Sequence, residues 1–245
     1  MAHFYLNELL ESAAVGDTVS LDGQEPRHAV TVSRLSVGEA VSIGNGRGLI
    51  VSGPVTVAEH ALLSIEVSSV TDAPRATPAI VLVQALAKGD RDELAVQVAT
   101  ELGVDAVIPW AAARSISRWE GAKVAKGHDR WVAITREASK QSIRPWLPDV
   151  LDLVSTNQLA KLAGATRMLV LEPTAELALT ALEPAPGEAD DYVLVVGPEG
   201  GIAPHELDAL VAAGASLVRL GDGVLRTSTA GPAAIAVLSA KLHRW

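Results

Sequence analysis

Two different rhythms of apolar residues divide the chain. Up to about residue 70 they come in short runs rich in Val, Ile and Thr, over Val19–Leu21, Ala40–Ile43, Gly48–Val57 and Leu62–Val70. Such runs read as β-strands, and Gly44–Gly48 (GNGRG) reads as a hairpin-type turn between two of them. One short helix is predicted over Pro26–Leu35, with Pro26 at its first position and Val30 and Arg34 one turn apart. A small β-barrel fits this pattern.

Further along, the rhythm changes to alternation. The all-apolar runs Ile80–Gln84, Ala106–Pro109, Met168–Leu171, Tyr192–Val196 and Leu217–Leu220 are strands separated by predicted helices. These helices are Asp92–Leu102, Trp131–Ser142, Pro204–Ala213 and Ala230–Leu242. In the first, Leu94, Val98 and Leu102 share a stripe and Gly103 supplies the stop. Apolar strands alternating with helices mean a parallel sheet covered on both faces. The Pro-containing stretch Thr71–Pro78 (TDAPRATP) separates the two patterns. The expected organisation is therefore a β-barrel domain at 1–72, a linker at 73–78 and an α/β domain at 79–245. Glu183–Asp191 reads as an acidic, Pro-containing loop.

Composition removes several chemistries. Of 245 residues 49% are apolar, enough for a sizeable core, and none is Cys. Disulfides, a thiol nucleophile, iron–sulfur clusters and Cys-ligated zinc are excluded. The six His are far apart with no pair at helical spacing, so no metal is expected. The start, MAHFYLNELL, lacks a secretory pattern, and no segment approaches the roughly 18 apolar residues of a membrane span, so a cytoplasmic location is expected.

The net charge of −9 hides an uneven distribution. Residues 1–72 carry 3 basic and 9 acidic groups, whereas Arg114–Arg144 carries 8 basic against 3 acidic. A basic island in an acidic protein reads either as a nucleic-acid footprint or as a solvated helix face. Trp119, Trp131 and Trp146 lie in or beside it.

No G-x-S-x-G elbow and no G-x-x-x-x-G-K-[ST] phosphate loop is present. Two glycine-rich loops remain, each leaving the carboxyl end of a predicted strand, where α/β sheets bind ligands. The first is VVGPEGGIAPHEL, with Gly197–Gly201 followed by a helix opened by Pro204 with Glu206 in its first turn. The second is RLGDGVLRTSTAG, from Gly221 to Thr229. Gly221-x-Gly223 starts like a dinucleotide fingerprint, but Arg226 stands at the third glycine, so a nicotinamide site fits poorly.

VGPEGG followed by LGDGVLRTSTA resembles the paired cofactor loops of the SPOUT methyltransferases. Upstream, LAKGDRDELAVQVATELGVDAVIP (Leu86–Pro109), REASKQSIR (Arg136–Arg144) and EPRHAVTVSRLSVGEAV (Glu25–Val41) are similar to the RsmE-type 16S ribosomal RNA methyltransferases over nearly the whole chain. Lys140, Ile143 and Ser228 depart from that family's usual residues. The resemblance implies an amino-terminal PUA-like β-barrel and a carboxyl-terminal α/β domain closed by a trefoil knot, one of the rare exceptions to unknotted chains. It implies methylation of ring nitrogen 3 of one uridine in the small subunit, with S-adenosylmethionine as donor, by a two-fold homodimer.

By the same resemblance, Leu171, Gly197, Glu199, Gly200, Gly201, Leu220, Leu225 and Thr227 line the cofactor pocket. For Glu199 two roles stay open, facing the cofactor or capping the following helix. Arg226, the basic residue inside these loops, is the expected catalytic group, with an RNA-phosphate or subunit contact as its alternative role. Arg114, Arg118, Arg136, Lys140, Gln141 and Arg144 are expected to face RNA, together with Arg27, His28 and Arg34 from the barrel; Trp119 and Trp131 are expected in the core. A related methyltransferase acting on another RNA base, or a non-catalytic RNA-binding protein of the same fold, are the competing readings.

Overall fold

The structure, a computed structural model, describes residues 3–184 and 190–245, so residues 185–189 of the expected acidic loop lie outside the described residues. The chain forms two compact units.

The first unit comprises the chain up to Arg75 together with Ser139–Leu147. Its strands are β1 (His3–Leu6), β2 (Thr18–Leu21), β3 (Ala40–Gly44), β4 (Leu49–Glu59), β5 (Leu62–Glu66) and β6 (Ser69–Asp72), with helix α1 (Gln24–Thr31) between β2 and β3. The sheet runs β1-β3-β4-β5-β2, with β6 paired to β4. Pairing is antiparallel except for β1 beside β3. β1 and β2 end this path and do not pair with each other among the described residues, so the expected closed barrel is not seen in the strand pairing. The strand expected over Leu62–Val70 is two strands, because Val67 and Ser68 leave the β5 line: Val67 donates to Asp17 O and Ser68 to Ser52 O. Side chains alternating inward from the long strand β4, Leu49, Val51 and Val55, join Ile43, Leu63 and Ile65 in the core.

Ser139–Leu147 was expected in the second unit. It belongs to the first because it pairs with the β3–β4 turn. Gly48 donates to Pro145 O at 2.9 Å, Leu147 to Gly46 O at 3.0 Å, and the Trp146 indole to Ala73 O at 2.8 Å.

The second unit comprises Ala76–Ala138 and Pro148–Trp245. Six parallel strands run in the order β12-β10-β11-β7-β8-β9. They are β7 (Ile80–Ala85), β8 (Ala106–Trp110), β9 (Asp149–Val150), β10 (Arg167–Leu171), β11 (Tyr192–Val196) and β12 (Ser216–Val218). The helices are α2 (Arg91–Glu101), α3 (Ala122–Gln141), α4 (Thr156–Ala163), α5 (Pro204–Ala212) and α6 (Thr227–Lys241). Period-two alternation sends Leu82 and Leu194 to a core shared with Val96 of α2, Trp131 of α3 and Ile235 of α6. Val83 and Val195 go to the opposite core, with Leu159 of α4 and Leu210 of α5. Burial on both faces is why these strands read as continuous apolar runs. β9 and α4 went unpredicted. α4 opens with a capping box, Ser155 accepting from Gln158 N while the Gln158 side chain accepts from Ser155 N.

Candidate active site

Parallel strands aim their carboxyl ends the same way, and in this unit those of β10, β11 and β12 open into one cavity of about 410 Å³. Both glycine-rich loops line it. Leu171, Gly197, Glu199, Gly201, Leu220, Leu225, Arg226 and Thr227 are all on its wall. Gly200 lies beside it with its carbonyl turned to Arg114. Val196, Ile202 and Val218 extend the apolar surface, and Arg91 brings a second cation.

Local sequence explains the shape of the first loop. Gly201 has φ +70°, in the left-handed region that glycine occupies without steric cost. At Gly197 the constraint is space, since a Cβ would come within 2.6 Å of Ile202 Cγ1. The following helix, α5, is capped by Glu206, whose carboxylate accepts from Ala203 N at 3.2 Å. Glu206 is buried, and it also accepts from Ala113 N at 2.9 Å and from the Thr156 hydroxyl at 2.6 Å. One carboxylate thus ties together the segments after β8 and β11.

With Glu206 as the cap, Glu199 is free of that role. Its carboxylate accepts from Lys88 N at 3.0 Å and from the Arg91 guanidinium at 2.9 Å. Partial burial alone pushes the Glu199 carboxyl up. The N–H groups of Glu199 and Lys88, with Arg91, outweigh that and hold it below its ordinary value. Glu199 therefore stays anionic and latches the loop after β7 onto the first glycine loop. Asp92, buried at the start of α2, is shifted the other way: burial raises its carboxyl despite the N–H groups of Ala87 and Glu93.

Arg226 is the N-cap residue of α6 and is exposed at the cavity wall, its guanidinium making no hydrogen bond or ion pair among the described residues. A cation left without a structural partner is available to stabilise negative charge. Thr227 next to it is buried, and its hydroxyl donates to Gly197 O at 2.8 Å.

The residues expected to face RNA divide between the units. In the first, Arg27 and His28 are exposed on α1, and Arg34 and Gln141 are exposed too, while Arg144 is half-buried. Lys140 departs from the expectation. It is 9% exposed and paired with Glu25 at 3.1 Å, so its ammonium binds α1 and not the solvent-facing surface. In the second unit Arg118 is exposed and Arg136 half-buried. Arg114 is exposed but spends one guanidinium nitrogen on Gly200 O at 3.1 Å, which makes it a clamp on the glycine loop. Trp131 is buried and meets Trp119 edge-to-face at 5.4 Å, as core packing requires. Sequence reasoning missed Arg91 and the second and third bonds of Glu206. Arg91 had a signal, a basic residue opening the helix that follows β7.

Among the described residues, no group of three or more His, Asp or Glu is placed to hold a metal ion, and no helix is long and apolar enough to cross a membrane.

The RNA methyltransferase domain family matches residues 74–239, the part of the chain that builds the cavity. The chain belongs to this family of RNA methyltransferases. It is 41% identical to the ribosomal RNA small subunit methyltransferase E of Mycobacterium bovis, over 99% of this chain and 92% of that protein. The enzyme of the same name from Bacillus subtilis is 28% identical, over 98% of this chain and 96% of that one. Among solved structures, the ribosomal RNA small subunit methyltransferase E of Neisseria gonorrhoeae bound to S-adenosyl methionine superimposes with a TM-score of 0.85. That match has 28% identity and covers 98% of each chain.

Proposed function

We propose that this protein methylates ring nitrogen 3 of a specific uridine in 16S ribosomal RNA of the small subunit, with S-adenosylmethionine as methyl donor. The observation that carries this is the strand-end cavity, walled by two glycine loops and carrying Arg226 unpaired on its wall. Its size and mostly apolar wall with a few convergent polar groups suit a nucleoside-sized cofactor. The S-adenosylmethionine-bound relative of the same fold supports that choice. Leu171, Leu220 and Leu225 would enclose an adenine ring, while Gly197, Gly200 and Gly201 allow backbone close to the ligand. S-adenosylmethionine supplies, when bound, an electrophilic methyl group on a sulfonium.

What remains is the acceptor. Uracil nitrogen 3 must give up its proton, to water, to act as a nucleophile, and the charge spreads onto the two flanking carbonyl oxygens. The Arg226 guanidinium is the group we assign to stabilise that charge as it develops. In-line displacement leaves the protein mainly a positioning task, which the Glu199 and Glu206 ties serve by fixing the loops. Arg27, His28 and Arg34 of the first unit, which we read as a PUA-like RNA-binding module at 1–72, would meet the RNA backbone. A knotted carboxyl-terminal domain, a homodimer with the site completed at the subunit interface and a cytoplasmic location belong to the same reading.

The test offers radiolabelled S-adenosylmethionine with isolated small subunits, large subunits and deproteinised 16S RNA. The reading expects label in small-subunit RNA alone or in that RNA and its naked form. Label confined to large-subunit RNA would overturn it.

A further inference from the structure

Strand β7, IVLVQA, is apolar along its whole length except at Gln84, and Gln84 is completely buried. A side-chain amide taken into a parallel-sheet core gives up its water, and only hydrogen bonds make that good. Gln84 Nε2 donates to the Ala85 carbonyl at 3.1 Å and to the Thr227 hydroxyl at 2.8 Å. Its Oε1 has no hydrogen-bond partner among the described residues. The amide is half satisfied. A hydrocarbon side chain of the same length would suit the stability of this core at least as well, so the amide's value lies in what its nitrogen holds.

What it holds is a directional chain. The Thr227 hydroxyl has one proton, which goes to Gly197 O at 2.8 Å, and it accepts from Gln84. Two consecutive bonds therefore link the centre of the sheet, the first residue of α6 and the first glycine of the loop after β11. Thr227 follows Arg226 directly, and both Thr227 and Gly197 are on the cavity wall. Polar groups linked in series polarise and stiffen one another.

We propose that Gln84 is a positioning residue of the methyl-transfer site: through Thr227 it fixes both glycine loops from beneath, at some expense to core stability. This rests on the cavity being the cofactor site. Gln84→Met keeps the unbranched shape and removes both donors. Hydrogen exchange in the protein without cofactor should show the amides of residues 197–203 and 226–230 exchanging about fivefold to tenfold faster, the scale expected for one buried hydrogen bond. The melting temperature should stay unchanged or rise. The Kd for S-adenosylmethionine should rise by a similar factor. Thr227→Val should reproduce both effects, Thr227→Ser should restore them, and the double variant should be no worse than either single one. Faster exchange throughout the unit with a lower melting temperature would make the amide a structural element only and overturn the proposal. So would unchanged exchange in the two loops. Because exchange is measured without cofactor, a failure of wild-type protein to bind S-adenosylmethionine would refute the functional reading and leave this result standing on its own.

Discussion

The two units carry their polar chemistry in different ways. In the second, parallel strands deliver the ends of three elements to one cavity, and buried polar groups such as Gln84 and Glu206 wire the loops that line it. In the first, the functional candidates are separate exposed charges on α1 and nearby loops, and the buried cation Lys140 is committed to Glu25. The difference teaches that a catalytic function localises where topology converges. Scattered exposed charges, as on α1, are instead what the proposed RNA contact requires.

The sharpest way to break this comparison is to fill the cavity. A Cβ at Gly223 meets nothing within 4 Å and its φ is ordinary, so Gly223→Trp should fold normally and abolish cofactor binding in a calorimetric titration. Retained binding would place the cofactor elsewhere. Next in size, Arg226→Ala should lower kcat by roughly a hundredfold, the usual scale for one charge-stabilising donor, while cofactor Kd is nearly unchanged. Equal losses in both would make it a binding residue.

The first unit should respond differently. Lys140→Met removes the ion pair to Glu25 and should cost about 3 kcal/mol in urea unfolding, without changing the salt dependence of RNA binding. Arg27→Ala with Arg34→Ala should do the reverse, lowering the salt slope by about one for each lost phosphate contact and leaving stability alone. The smallest effect concerns Ile143, whose φ of +54° is one that β-branched side chains resist. Ile143→Gly should raise stability by about 1 kcal/mol, visible as a higher melting temperature.

Much of the second unit was legible because β7, β8, β10 and β11 are mostly apolar runs, and the two glycine loops follow β11 and β12. Both loops and Arg226 could be placed at strand ends from pattern alone. β9 escaped because two residues carry no period, and α3 begins nine residues before Trp131 because its first turns are polar. The placement of Ser139–Leu147 was illegible for a different reason. It depends on backbone bonds from Gly46, Gly48 and Ala73, distant in sequence, and local pattern contains no record of them. For the same reason Lys140 read as part of a surface charge run when its partner, Glu25, lies 115 positions away. The double task of Glu206 and the cross-link from Gln84 are likewise long-range contacts, although a polar residue inside an apolar strand was a signal in itself.

The most direct measurement identifies the product. Small subunits from a strain lacking uridine N3 methylation are incubated with this protein and radiolabelled S-adenosylmethionine, and the RNA is digested to nucleosides. Label should appear in 3-methyluridine, at a rate about a hundredfold lower with Arg226→Ala. Label in any other nucleoside would contradict the proposed reaction.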